Sequence, residues 1–387
     1  MTRASALARM SLVVLALAAG CEYVDLTPGG SGGVTHSGDA RCGDGVCQAG
    51  EGAESCLADC GAFDLASGLD HDCVLRNDGT VRCWGDNGHG QLGDGSRQDR
   101  AAPGVVLPLA DVVALALGYR HSCALRGDGT VWCWGANRDG QLGDGTWEDR
   151  ARPVQAQGVQ DAVSLAAGAT QTCAVRADGR VLCWGTEYDS PLGNRITQRP
   201  TPALVPDLDG VVDLALGFAH RCARRRDGTL WCWGANQVGQ LGDGTREARD
   251  APTPVPGLDD VIAVSAGVAA TCATRGDGTV SCWGEGSLCQ LGVGDRTQAD
   301  TPRRVLGLVG DARQLTSQFQ DTCAVTAEGR AFCWGYETSR QAAGGCSDEA
   351  DHARPAPDLP ELERLAVGFD HACALYGPGL VSCWSLY

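Results

Sequence analysis

The 387-residue chain contains no lysine; all 31 of its basic residues are arginine. That excludes Schiff-base catalysis and the lysine of a phosphate-binding loop. Positive charge is scarce altogether, since 48 acidic residues leave a net charge of -17. A surface of that sign repels a phosphate backbone, so no nucleic acid is expected as a partner. Nor is there an apolar run as long as the roughly 18 residues that cross a bilayer. Aromatic residues make up only 5% of the chain, yet ten of them are tryptophan, which points to fixed positions rather than bulk. Several kinds of chemistry are missing too. There is no Gly-x-Ser-x-Gly elbow, no Cys/His nucleophile arrangement and no singular pair of acids, so no catalytic residue and no cofactor are expected.

What the chain has in abundance is a repeat. Cys73, Cys123, Cys173, Cys222, Cys272, Cys323 and Cys373 are each followed ten positions later by a second cysteine and then a tryptophan. Copies start 49 to 51 residues apart, a period that means stacked or radially repeated units. Within a copy, Cys123 and Cys133 fall opposite each other when the segment is folded about Asp128. Gly129 then takes the left-handed position of a three-residue hairpin loop. Glycine holds that place in all seven copies, at 79, 129, 179, 228, 278, 329 and 379. Opposed strand residues are close enough to bridge, so the pairs Cys73-Cys83, Cys123-Cys133, Cys173-Cys183, Cys222-Cys232, Cys272-Cys282, Cys323-Cys333 and Cys373-Cys383 are read as disulfides. A nine-residue gap fits no zinc knuckle, and no metal is expected.

Each copy reads as four short strands: an apolar inner strand, the two arms of the stapled hairpin, and a proline-bearing outer strand after a Gly/Asn/Asp-rich loop. Seven such units predict an all-β fold, a seven-bladed β-propeller spanning 61–387 with one disulfide-stapled hairpin per blade. The run His121-Ser122-Cys123-Ala124-Leu125, then Asp128-Gly129-Thr130-Val131-Trp132-Cys133-Trp134-Gly135-Ala136-Asn137, then Gly140-Gln141-Leu142-Gly143-Asp144-Gly145, resembles the repeat of the regulator of chromosome condensation family. Departures occur at Gln171, Ala270 and Asp321, which replace the histidine of positions 71, 121, 220 and 371. Pro191 interrupts the third Gln-Leu-Gly, and Gln341-Ala-Ala replaces the sixth. The resemblance implies a seven-bladed propeller and admits guanine-nucleotide exchange as an alternative function. It also admits inhibition of a secreted enzyme, since a propeller of the family inhibits β-lactamases.

Ahead of the repeats, residues 1–20 read as a lipoprotein signal peptide, with Arg3 and Arg9 before the apolar stretch Leu12 to Ala18. Leu17-Ala18-Ala19-Gly20-Cys21 resembles a lipobox, which makes Cys21 the lipidation site and the lipid the sole membrane attachment. Residues 21–41 form a lipid-anchored flexible tether containing Thr27-Pro28-Gly29-Gly30-Ser31-Gly32-Gly33. Residues 42–60 form a disulfide-rich module around Cys42, Cys47, Cys56 and Cys60, whose connectivity stays open. Asp44, Glu51, Glu54 and Asp59 offer oxygen ligands to calcium, but not at EF-hand spacing. With Cys289 and Cys346 paired, every cysteine after Cys21 is accounted for. There are seven hairpins but six copies of the following loop and outer strand, so either the last blade has three strands or, the favoured reading, a strap from somewhere in residues 22–36 completes it.

The four repeated histidines are spread round the ring by symmetry and are read as structural, bonding the neighbouring blade's backbone. The turn aspartates Asp78, Asp128, Asp178, Asp227 and Asp277 are read as hydrogen-bonding their own loops. Strand direction puts the turns before the first cysteines on one face with the Gln-Leu-Gly loops. There Tyr119, Arg120, Phe218, Phe319, Phe369 and Asp370, with Trp147 and Tyr188 in longer loops, are the candidate binding residues. Packing of these rings between blades is the competing reading. The expected protein is an exported monomer, lipid-anchored to a bacterial cell envelope or surface, whose propeller binds a protein or glycan partner without catalysis.

Overall fold

The computed structural model describes residues 13–15, 62–188, 195–336, 353–355, 361–377 and 379–385. They form seven four-stranded antiparallel sheets. In the second blade the strands are Val112–Leu117, His121–Arg126, Val131–Gly135 and Arg150–Gln155, in that order from the centre outward. The inner strand is buried at Val112 and from Leu115 to Leu117, and it borders the central channel, which Ala116, Ala166, Ala215 and Ala266 help to line. Prolines such as Pro153 and Pro302 sit in outer strands, where a missing N–H leaves no ladder bond unmade.

The hairpin register is the one the sequence predicts. Cys123 opposes Cys133, and the same pairing recurs in every blade. All seven pairs are disulfides with Cα atoms 4.1 Å apart. Closing an eleven-residue loop is worth roughly 2.5–3 kcal/mol in the chain-entropy account. Gly129 holds φ at +80°, and Asp128 accepts from the Thr130 amide at 3.0 Å, so the turn is fixed from within. The equivalent aspartates of four other blades do the same, with acceptor distances of 2.9–3.0 Å.

Blades pack on one another through apolar clusters shared between neighbours. Leu75, Val81 and Leu92 of the first blade surround Trp134 of the second. The ring closes in the same way, because Ala62, Leu65, Val74 and Trp84 pack against Ala366, Leu375 and Val381 of the seventh blade. The arrangement is a closed circle, not an open solenoid.

The strap expectation requires correction. The fourth strand of the last sheet is Val13–Leu15, antiparallel to Leu380–Ser385, with Val13 opposite Cys383. An apolar, β-branched run can satisfy an open sheet edge through its main chain, and the polar, glycine-rich residues 22–36 suit that place less well. Residues 22–36 themselves, Cys21 and the module at 42–60 lie outside the described residues. Cys289 is disulfide-bonded. Its expected partner Cys346 lies outside the described residues, as do Pro191 and Gln341.

Candidate functional site

The face that carries the Gln-Leu-Gly loops is built by junctions between blades, and the repeat explains their chemistry. In the second blade, Asn137 Oδ1 accepts from the Leu142 amide at 3.0 Å and Asn137 Nδ2 donates to Asp144 at 3.1 Å, which folds the loop. That loop presents the Gln141 carbonyl to the third blade. There the Trp184 indole donates to it at 2.9 Å, and so does Thr172 Oγ1 at 2.9 Å. Gly143 is required because a Cβ there would stand 2.8 Å from Trp184 Nε1.

The repeated histidine completes the clasp. His121 Nε2 lies 3.0 Å from Thr172 Oγ1. The threonine hydroxyl has already given its hydrogen to Gln141, so Nε2 carries the hydrogen and donates it. His71 with Ser122 at 2.9 Å and His220 with Thr271 at 2.8 Å repeat the contact. The partner is therefore a side-chain hydroxyl of the next blade, not its backbone as expected from sequence. The structural role holds, and the reason is geometric: the residue just before each first cysteine points across the junction. Burial keeps these rings neutral. It holds His71 down to about 4 despite Asp72 and Asp86, and His121 and His220 down to about 3. Gly118 leaves room for the ring, since a Cβ there would lie 2.1 Å from His121 Cε1.

Where Gln171 replaces the histidine, its partner changes too. Gln171 accepts from the buried Arg221 Nε at 2.6 Å, and Arg221 also pairs with Glu187 at 2.6 Å. The junction of the seventh and first blades departs furthest. In place of a hydroxyl it has Asp72, 4% exposed, whose Oδ1 lies 3.0 Å from His371 Nε2. Asp370 Oδ1 lies 3.1 Å from the other ring nitrogen. Burial alone would depress this histidine, but the two carboxylates prevail and raise it to about 9. His371 is therefore a cation at neutral pH. Asp70, in the next turn, is pushed up by partial burial and by Asp370. The sequence reading found no singular set of acids, and this cluster corrects it. The signal was the residue before each first cysteine: Asp72 is the one acid in a column that elsewhere reads Ser122, Thr172, Arg221, Thr271, Thr322 and Ala372.

These four polar residues border an open cleft of about 470 Å³, walled also by Trp84, Cys383 and Trp384. Asp72, Cys373 and Cys383 stand close together, but the two sulfurs are joined in a disulfide and offer no thiolate to a metal.

The candidate binding residues fall into two groups near the channel mouth. Phe218 lies between Tyr119 and Tyr188, with ring centroids 5.8 Å from each. Phe319 and Phe369 meet edge to face at 4.6 Å. Main-chain bonds from Phe369 to Leu69 and from Leu69 to Tyr119 tie consecutive turns together. The rings are half-buried, and burial raises the Tyr119 phenol. Tyr188 donates to Asp139 at 3.0 Å. Arg120 and Asp370 project at the rim, while Trp147, 43% exposed, makes no ring contact with either group among the described residues.

A closed ring of seven stapled blades with Gln-Leu-Gly clasps defines the class: a β-propeller of the chromosome-condensation regulator type. The family model described as the RCC1-like domain matches residues 33–375, and the chain belongs to that family. No curated protein matches the chain. Among solved structures, Prp20p from Saccharomyces cerevisiae is 22% identical, with a TM-score of 0.68, covering 88% of this chain and 85% of its own. Human WBSCR16 is 22% identical at a TM-score of 0.67, covering 84% and 86%. The ectodomain of the Physcomitrella patens receptor kinase CR4 is 21% identical at 0.54, covering 84% and 73%. These likenesses establish the fold. Among the described residues no helix is long and apolar enough to cross a membrane.

Proposed function

We propose that this chain is an exported, surface-anchored, non-enzymatic scaffold that binds a protein or glycan partner through its loop face. The observation that carries this is the pair of half-buried aromatic groups at the channel mouth, Tyr119 with Tyr188 and Phe218, and Phe319 with Phe369. Rigid aromatics beside exposed charges such as Arg120 and Asp370 are what binding surfaces use for energy and orientation. Seven disulfides support export, since such bridges persist in oxidising compartments. Prp20p has described binding properties to Gsp1p and histones, so a ring of this fold serves as a protein-binding platform elsewhere. Identity this low transfers the fold and not the partner.

Anchoring at Cys21 carries a structural consequence. Cleavage before Cys21 takes Val13–Leu15 with it and leaves Leu380–Ser385 as the outer strand of the mature seventh blade. The scaffold reading is tested by capture from the organism's own envelope with the lipid-free propeller. Tyr119→Ala, Phe218→Ala and Phe369→Ala together are expected to lose the captured partner. Retention of that partner by the folded triple variant would show that the rings are packing groups only.

A further inference from the structure

We propose that the cleft between the seventh and first blades binds an arginine side chain presented on an extended peptide segment. Its walls are two indoles, Trp84 and Trp384, and its rim carries Asp70 and Asp370 over the Asp72–His371 pair. A guanidinium is planar, so it stacks on an indole face while its fork meets a carboxylate. Asp72 and Asp370 are both engaged with His371, whereas Asp70 is exposed and lines the opening.

A second, independent observation points to a peptide. Trp84 is 7% exposed, and its indole N–H donates to no described group, although it lines the cleft. The equivalent Trp134, Trp184 and Trp283 donate to main-chain carbonyls of Gln91, Gln141 and Gln240. Among the described residues Trp233, Trp334 and Trp384 have no indole acceptor either, but Trp233 and Trp334 are sealed at 3% and 1% exposure and do not line the cleft, whereas Trp384 forms its other wall. The first blade therefore offers, into an open cleft, a donor that its siblings use to hold a peptide carbonyl. An arriving segment that places its carbonyl on Trp84 sets a neighbouring side chain against the aspartates.

The origin of that segment in a protein partner rests on the scaffold reading; the cleft chemistry does not. The full chain is titrated with blocked Gly-Arg-Gly and, as a neutral control, blocked Gly-Gln-Gly, with tryptophan fluorescence as the readout. The arginine peptide is expected to give a saturable change that the glutamine peptide lacks. Asp70→Asn and Asp370→Asn are each expected to weaken it roughly tenfold, the loss of one charged hydrogen bond. Both positions are partly solvent-exposed, and circular dichroism confirms that the variants fold. Saturation by both peptides alike, no saturable change with either, or full affinity in both aspartate variants would overturn the proposal. Failure of the envelope capture leaves this titration untouched, so the two readings fail separately.

Discussion

The junction between the second and third blades and the junction that closes the ring use the same histidine for opposite purposes. At the first, His121 is neutral, held at about 3 by burial, and donates to Thr172. At the second, His371 is a cation near 9, held between Asp72 and Asp370. Two changed residues, Asp72 where the other junction has Thr172 and Asp370 where it has Arg120, convert a buried hydrogen bond into an ion pair beside an open cleft. Repetition builds the ring, and the place where repetition is broken is where a ligand would meet new chemistry.

The comparison breaks most sharply at Gly118. Gly118→Ala puts a methyl into His121 and the Gly168 carbonyl, 2.1 and 2.3 Å away. Neither can retreat, so a loss of about 3 kcal/mol is expected by denaturant unfolding. Next is Thr172→Val, which leaves the His121 N–H without an acceptor in a buried place. That costs about 2 kcal/mol, where Ser67→Ala, which takes one half-buried donor from Asp72 and leaves it His371, costs under about 1.

pH sharpens the contrast. His71, His121 and His220 bind their proton far more weakly folded than unfolded, so stability falls as pH drops from 6.5 toward 4. Each unit of difference is worth about 1.4 kcal/mol per histidine. His371 is the reverse. Its contribution is complete below 6.5 and is lost as pH rises toward about 9. Asp72→Ser should shrink the alkaline loss, leaving only what Asp370 sustains, and keep the acid limb in place; thermal melts across pH 4 to 10 measure both. The smallest effect belongs to Trp147→Ala, an exposed ring whose removal should change stability by under about 0.5 kcal/mol in the same melts.

Much of this architecture is legible in the sequence because a repeat states each rule seven times. The hairpin register follows from the cysteine spacing and the left-handed glycines, and the face that carries Tyr119 and Phe369 follows from strand direction. The junctions were harder to read. His121 and Thr172 are 51 residues apart, and nothing local says that they touch. Aligned by repeat, the column Asp72, Ser122, Thr172, Arg221, Thr271, Thr322 and Ala372 does show the exception, yet only the closed ring brings Asp72 to His371. Nor was it legible that Val13–Leu15 pairs with the last sheet, because that stretch reads as the apolar core of an export signal.

The most direct test is an NMR titration of the imidazoles in the intact, oxidised protein. His371 should titrate near pH 9, with His71, His121 and His220 staying neutral down to about 4. Titration of His371 near 6.5, or of all four repeat histidines together, would contradict a charged clasp at the closing junction.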